Sequence, residues 1–96
     1  MKILVINPNT SSRMTEHIRG ELMRVKRSDT ELTVLCPGKG PETIESAYDE
    51  AHAIPPTLEL VKKGNREGYD AVILACFSDP GLEAAREVSE IPVLGI

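Results

Sequence analysis

The stretch that decides the fold is DAVILACFSDPGL, residues 70–82. It opens with an unbroken apolar run, which is typical of a strand buried on both faces of a parallel sheet. Pro80 suits the first position of a helix, and Asp79 or Ser78 can cap that helix with a side-chain oxygen. Cys76 is therefore predicted at the junction of a buried strand and a helix, which is the edge where open α/β sheets bind ligands.

The position of Cys76 permits two interpretations. A thiol beside a helix N-terminus is favoured as the thiolate, the form that acts as a base or nucleophile. Cysteine is also among the most buried residue types, and it often only fills space in a core. The local residues alone leave both interpretations open.

Bulk composition excludes several classes of protein. The 96 residues carry a net charge of −4 and only three aromatic side chains, so no basic and aromatic surface for nucleic acid is predicted. No apolar run approaches the roughly 20 residues that cross a bilayer, and the N-terminus does not resemble a signal peptide. We therefore expect a cytoplasmic chain with no nucleic-acid or membrane partner, in which Cys36 and Cys76 are free thiols.

Apolar runs and helical stripes alternate along the chain. Strands are predicted at residues 1–6, 31–36, 71–75 and 92–96. One helix follows the first strand, with its apolar stripe at Met14, Ile18, Leu22 and Val25. A short helix over residues 43–51 is expected to stop at Ile54-Pro55-Pro56, with a second helix running on towards Glu67.

This alternation predicts the α/β class: one domain over residues 1–96 with a flavodoxin-like, doubly wound parallel sheet. The expected strand order is 2-1-3-4 in a three-layer α/β/α arrangement. No helix follows the fourth strand to cover the sheet, so we expect a longer protein or a partner that covers it.

The predicted topology places a crevice between the ends of the first and third strands. Residues 7–10 (Asn-Pro-Asn-Thr) then face residues 76–78 (Cys-Phe-Ser), with amide and hydroxyl side chains on the rim. Backbone N–H groups at the helix starts near Ser11 and Pro80 are suited to an anionic or enolate-like oxygen. Such a site suits proton abstraction next to a carbonyl. The cysteines and histidines share no metal-ligand spacing, so no metal is expected.

Several segments resemble the hydantoin racemase branch of the aspartate/glutamate racemase superfamily. They are NPNTS (7–11), TIES (43–46), YDE (48–50), GYDA (68–71), ACFSDPGLEAARE (75–87) and PVLGI (92–96). The resemblance implies an isomerase that works without cofactor or metal on a small molecule, a hydantoin or an amino-acid derivative. It also implies two cysteines facing each other between two similar α/β domains, one removing the proton and the other delivering one.

Carried over by residue, the resemblance makes Cys76 the first catalytic cysteine. Asn9, Phe77 and Ser78 match positions that line the substrate pocket. The family's second cysteine lies in a half that these 96 residues do not include. Two-base racemisation needs an acid and a base on opposite faces of one carbon. Cys36 should end the second strand, on the far side of the first strand from Cys76, so it is interpreted as structural.

Three hypotheses follow. The chain is the N-terminal part of a racemase with half a site, or a short racemase whose homodimer pairs two Cys76 residues. The third is a non-catalytic flavodoxin-like binding or assembly module. Related decarboxylase or isomerase chemistry on the same scaffold also stays open.

Overall fold

Strands and helices alternate along the whole chain, as the sequence predicts. The computed structural model describes residues 1–96. None of its helices has the length and apolarity that crossing a membrane requires. The elements are β1 (Lys2–Ile6), α1 (Ser12–Val25), β2 (Glu31–Leu35), α2 (Ala47–Arg66), β3 (Ala71–Leu74), α3 (Leu82–Val88) and β4 (Val93–Leu94).

The four strands form one parallel sheet in the order β2-β1-β3-β4, which confirms the predicted topology. Ile6, at the end of β1, lies opposite Leu35 on one side and Leu74 on the other. The carboxyl ends of three strands therefore meet at the same edge of the sheet.

Alternate side chains of the strands point to opposite faces. One face packs against α2 and α3 and forms the core, with Leu4, Ile6, Val61, Tyr69, Val72, Leu74, Ala85 and Val93. The opposite face carries Val5 and Ile73 and meets α1. Helices thus lie on both faces, because the crossover from β1 to β2 runs in one direction across the sheet and those from β2 to β3 and from β3 to β4 run in the other.

The predicted break at residues 54–56 is wrong. A single helix, α2, runs from Ala47 to Arg66 with both prolines inside it, and Ser46 caps its start. Two prolines remove two N–H donors from the helix. Tertiary packing outweighs that loss, because the buried positions keep helical spacing on both sides of the prolines: Ala53, Thr57, Val61 and Gly64.

The predicted start of α3 at Pro80 is also wrong. The helix begins at Leu82, after Gly81, which adopts the left-handed conformation with φ 76° and gives no side-chain cap. Asp79 does not cap the helix, because its carboxylate accepts a hydrogen bond from the backbone N–H of Ile96 (3.2 Å).

The segment between β3 and α3 is therefore a double turn. The N–H of Asp79 donates to the carbonyl of Cys76 (3.0 Å), and the N–H of Leu82 donates to the carbonyl of Asp79 (3.1 Å). Cys76 lies in this turn, away from the first turn of α3. The predicted placement of Cys76 directly beside a helix N-terminus is therefore wrong.

The face of the sheet that meets α1 is only partly covered. Met14 and Val25, expected in the apolar stripe of α1, are exposed. An open hollow of about 380 Å³ lies between α1 and the sheet, lined mainly by Val5, Ile18, Leu22, Ile73, Ala75 and Ile96. Apolar surface of this kind is typical of a site where further polypeptide packs.

Two glycines in helices give a matched test of how closely α2 lies on the sheet. A Cβ at Gly64 would lie 2.9 Å from Cδ2 of the fully buried Leu4, whereas a Cβ at Gly20 would meet nothing within 4 Å. Gly64→Ala is expected to lower the free energy of unfolding by about 1–3 kcal/mol through overpacking. Gly20→Ala should raise it by about 0.5–1 kcal/mol. Urea unfolding of the purified protein measures both, and equal effects of the two substitutions would contradict this packing.

Candidate active site

A cleft lies at the carboxyl edge of the sheet, where the sequence predicts a crevice. The N–H of Ala75 donates to the carbonyl of Ile6 (2.8 Å), and the N–H of Asn7 donates to the carbonyl of Leu35 (2.9 Å). These bonds keep the carboxyl ends of β1, β2 and β3 at the same edge of the sheet. The segments that follow β1 and β3 consequently enclose a cleft of about 320 Å³.

Polar and apolar side chains occupy different parts of the cleft. Asn7 and Asn9 contribute amide groups from the segment after β1, and Cys76 contributes a thiol from the segment after β3. The remaining lining is mostly apolar and consists of Met14, Thr43, Ile44, Ala75, Phe77 and Ile96. The cleft therefore combines one ionisable sulfur with amide hydrogen-bonding groups inside an apolar wall.

Cys76 is accessible to solvent. Its side chain is neither fully buried nor disulfide-bonded, and Sγ lies 3.5 Å from the hydroxyl oxygen of Ser78. The thiol thus has a polar neighbour and an open path into the cleft. A core-filling role for this cysteine does not fit that environment.

The predicted pocket residues fall in three environments. Asn9 is 6% exposed and lines the cleft, and Phe77 lines it with 92% of its surface exposed. Ser78 is exposed and reaches the site only through its contact with Cys76. The segment after β3 thus offers a large, unpacked aromatic side chain beside the thiol.

Two residues predicted on the rim do not lie there. Asn7 lines the cleft but is only 1% exposed, so its amide is part of the buried floor. Thr10 is not part of the lining, and its N–H donates to the carbonyl of Pro41 (3.0 Å), which ties the loop after β2 to the site. Ser11 caps α1 as expected, with its hydroxyl accepting from the N–H of Met14 (3.1 Å).

Cys36 is outside the cleft. It follows β2, Cys76 follows β3, and β1 lies between those two strands. Because neighbouring strands are about 4.8 Å apart, the two strand ends are separated by about 10 Å. Both cysteines are free, and Cys36 is not among the residues that line the cleft.

Sequence reasoning missed the contact that fixes the Cys76 turn. Asp79 has a positive φ of 48°, and its carboxylate receives the N–H of Ile96. Gly95 makes room for this carboxylate, since a Cβ at that position would collide with Asp79 Oδ1. An isolated glycine in an apolar strand often marks such a close approach, so Gly95 was the available signal.

The parallel sheet, with a cleft lined by Cys76 at its carboxyl edge, defines an α/β protein of the doubly wound class. The chain belongs to the Asp/Glu/hydantoin racemase family, whose model matches residues 3–96. This confirms the family that the sequence motifs indicate.

Among curated proteins, the chain is similar to the hydantoin racemases of Pseudomonas sp. (strain NS671), with 52% identity over 96 residues, and Paenarthrobacter aurescens, with 42% identity over 97 residues. It is covered completely in both comparisons but spans only 39% and 41% of those relatives.

Among solved structures, allantoin racemase from Klebsiella pneumoniae matches with a TM-score of 0.95 and 44% identity, over 99% of this chain and 39% of that one. Allantoin racemase from Pseudomonas fluorescens matches with a TM-score of 0.91 and 32% identity, over 99% and 40%.

The Asp79–Gly95 contact can be tested through the reactivity of Cys76. Gly95→Ala is expected to displace the Asp79 carboxylate, loosen the turn and speed alkylation of Cys76 by iodoacetamide severalfold. Peptide mass spectrometry measures the rate, and Cys36 in the same molecule is the internal control. Gly38→Ala, where an added Cβ meets nothing within 4 Å, is the matched variant. Unchanged Cys76 alkylation in Gly95→Ala would contradict the role of this contact.

Proposed function

We propose that this chain forms part of a racemase of the hydantoin racemase type, which inverts a carbon next to a carbonyl by cysteine acid–base chemistry without a cofactor. The observation that carries the proposal is the placement of Cys76 and Asn9 in one cleft at the carboxyl edge of the sheet. Membership of the Asp/Glu/hydantoin racemase family supports it.

In the proposed step, the Cys76 thiolate takes the hydrogen of the acidic carbon as a proton and becomes a thiol. The electron pair of the broken C–H bond moves towards the neighbouring carbonyl and leaves an enolate oxygen. A second thiol then gives its proton to the opposite face of the carbon, and the carbonyl re-forms. For the opposite enantiomer the roles are exchanged: the second group, as thiolate, removes the proton, and Cys76, as thiol, donates one.

Ser78 and Asn9 are the neighbours proposed to support this step. The hydroxyl of Ser78, 3.5 Å from Sγ, can donate to the thiolate. The amide of Asn9 and the cleft lining around Phe77 would contact the substrate. Hydrogen-bond donors fixed near the enolate oxygen stabilise the charge that develops there.

The second thiol is proposed to lie in polypeptide beyond these 96 residues, which would form the N-terminal part of a two-domain racemase. Cys36 lies outside the cleft, and the chain spans about 40% of its curated relatives. The apolar hollow beside α1 offers a surface for such additional polypeptide. A homodimer that pairs two Cys76 residues is the alternative source of the second thiol.

The proposed substrate is a small cyclic amide of the hydantoin class or a related amino-acid derivative. A cleft of about 320 Å³ with Met14, Ile44 and Phe77 in its wall suits a compact, uncharged ring with an apolar substituent. The named relatives are hydantoin and allantoin racemases. We also propose the cytoplasm as the compartment, where thiols such as Cys36 and Cys76 stay reduced.

A chimaera tests the proposal directly. Residues 1–96 replace the matching part of the Pseudomonas sp. (strain NS671) hydantoin racemase, to which they are 52% identical. The chimaera is incubated with one enantiomer of 5-benzylhydantoin in D₂O, and exchange of the hydrogen at C5 and loss of optical rotation are followed above the uncatalysed rate. Cys76→Ser is expected to lower the rate by roughly a hundredfold or more, because a general base contributes about that much.

Cys36→Ser is the matched control and should retain the parent rate. A folded chimaera that exchanges no hydrogen would favour the non-catalytic module. Exchange that survives Cys76→Ser would remove Cys76 from the reaction. The homodimer hypothesis is tested with the 96-residue chain alone, whose mass is measured by light scattering. That hypothesis predicts a dimer that exchanges the C5 hydrogen without any additional polypeptide.

A further inference from the structure

A buried polar network adjoins the cleft, and the mechanism above uses only one of its members, Asn9. Asn7 Nδ2 donates to Asn9 Oδ1 (2.8 Å) and to the hydroxyl oxygen of Thr15 (3.1 Å). Asn7 is 1% exposed and Thr15 is 5% exposed. Apolar residues fill most such positions, because burying polar groups costs free energy unless each one is hydrogen-bonded.

The direction of every bond in this network is fixed by backbone groups. The N–H of Ser11 can only donate, so the Asn9 atom 2.9 Å from it is the amide oxygen. Asn7 must then offer its nitrogen to that oxygen. The hydroxyl of Thr15 donates to the carbonyl of Ser11 (2.8 Å) and is left with lone pairs for Asn7.

This polarity leaves the amide nitrogen of Asn9 outside the network, and its contact with Met14 places it towards the cleft that both residues line. Its hydrogen-bonded neighbour there is the thioether sulfur of Met14, at 3.3 Å. Met14 also lines the cleft. A thioether is a weak acceptor, so a carbonyl or enolate oxygen would replace it readily.

We infer that Asn7 and Thr15 are positioning residues that hold Asn9 as an N–H donor for the substrate carbonyl oxygen, on which negative charge develops. This inference rests on the proposed function. A donor held in place before the reaction needs no reorganisation when the proton leaves carbon. The opposite orientation of the Asn9 amide would present an oxygen to the enolate and repel it.

The first test concerns the donor itself. Asn9→Asp keeps an oxygen for the Ser11 N–H and for Asn7, but it puts a carboxylate oxygen where Nδ2 faces the cleft. In the chimaera, kcat for racemisation is expected to fall roughly a hundredfold or more, as for loss of an oxyanion donor. A kcat for Asn9→Asp within twofold of the parent would overturn the assignment of Asn9 as a donor.

The second test concerns positioning. Thr15→Val removes the hydroxyl with little change of shape, and it is expected to lower kcat roughly tenfold with KM within about twofold, because the donor acts on charge that develops in the transition state. Thr15→Ser restores the hydroxyl and should recover most of kcat. Thr57→Val is the matched control: Thr57 is also buried, its hydroxyl has no partner, and kcat should not change.

Equal kcat for parent and Thr15→Val, or no recovery in Thr15→Ser, would overturn the positioning role. NMR of the side-chain amides tests the positioning of Asn9 without any substrate. It therefore distinguishes failure of this inference from failure of the proposed function. The side-chain NH₂ signals of Asn9 in the ¹⁵N-labelled chimaera are expected to shift in Thr15→Val and stay in place in Thr57→Val. Unmoved Asn9 signals in Thr15→Val would overturn the inference even if the parent is inactive.

Discussion

The parallel pairing of β1 with β3 is the constraint on which the site depends. Parallel neighbours end at the same edge of a sheet, and the bond from the Ala75 N–H to the Ile6 carbonyl extends this pairing to the last residue before Cys76. A shift of one residue would turn every side chain of the strand to the other face. The register thus places Cys76 opposite the asparagine segment without a direct bond between the two segments.

Two kinds of packing meet at this edge. Below it, Leu4, Ile6 and Leu74 are fully buried and hold the strands rigidly. At the edge, Asn7, Asn9 and Thr15 replace apolar side chains with a hydrogen-bonded network. Polar residues at buried positions are less favourable for stability than a well-packed apolar core, and such departures are expected at functional sites. Their concentration around the Cys76 cleft agrees with that expectation.

The sequence predicts the sheet order and the location of Cys76, because buried apolar runs and helical stripes are strong local signals. It fails at Pro55 and Pro56, where packing of α2 on the sheet outweighs the local preference of proline. It also fails at Asp79, which bonds to the distant Ile96 rather than capping the adjacent helix. The burial of Asn7 depends on Thr15 from the next helix, and no local pattern reveals such a contact.

The proposed racemisation requires two sulfur atoms on opposite faces of one carbon, and Cys76 is the one cysteine of this chain that lines the cleft. The most direct measurement is a crystal structure of the active chimaera with a hydantoin analogue bound. With each sulfur about 3.5 Å from the reacting carbon, the proposed mechanism places a second thiol about 7 Å from Cys76 Sγ, across the ligand. A ligand bound away from Cys76, or a Cys76 Sγ with no thiol facing it across the bound ring, would contradict the account.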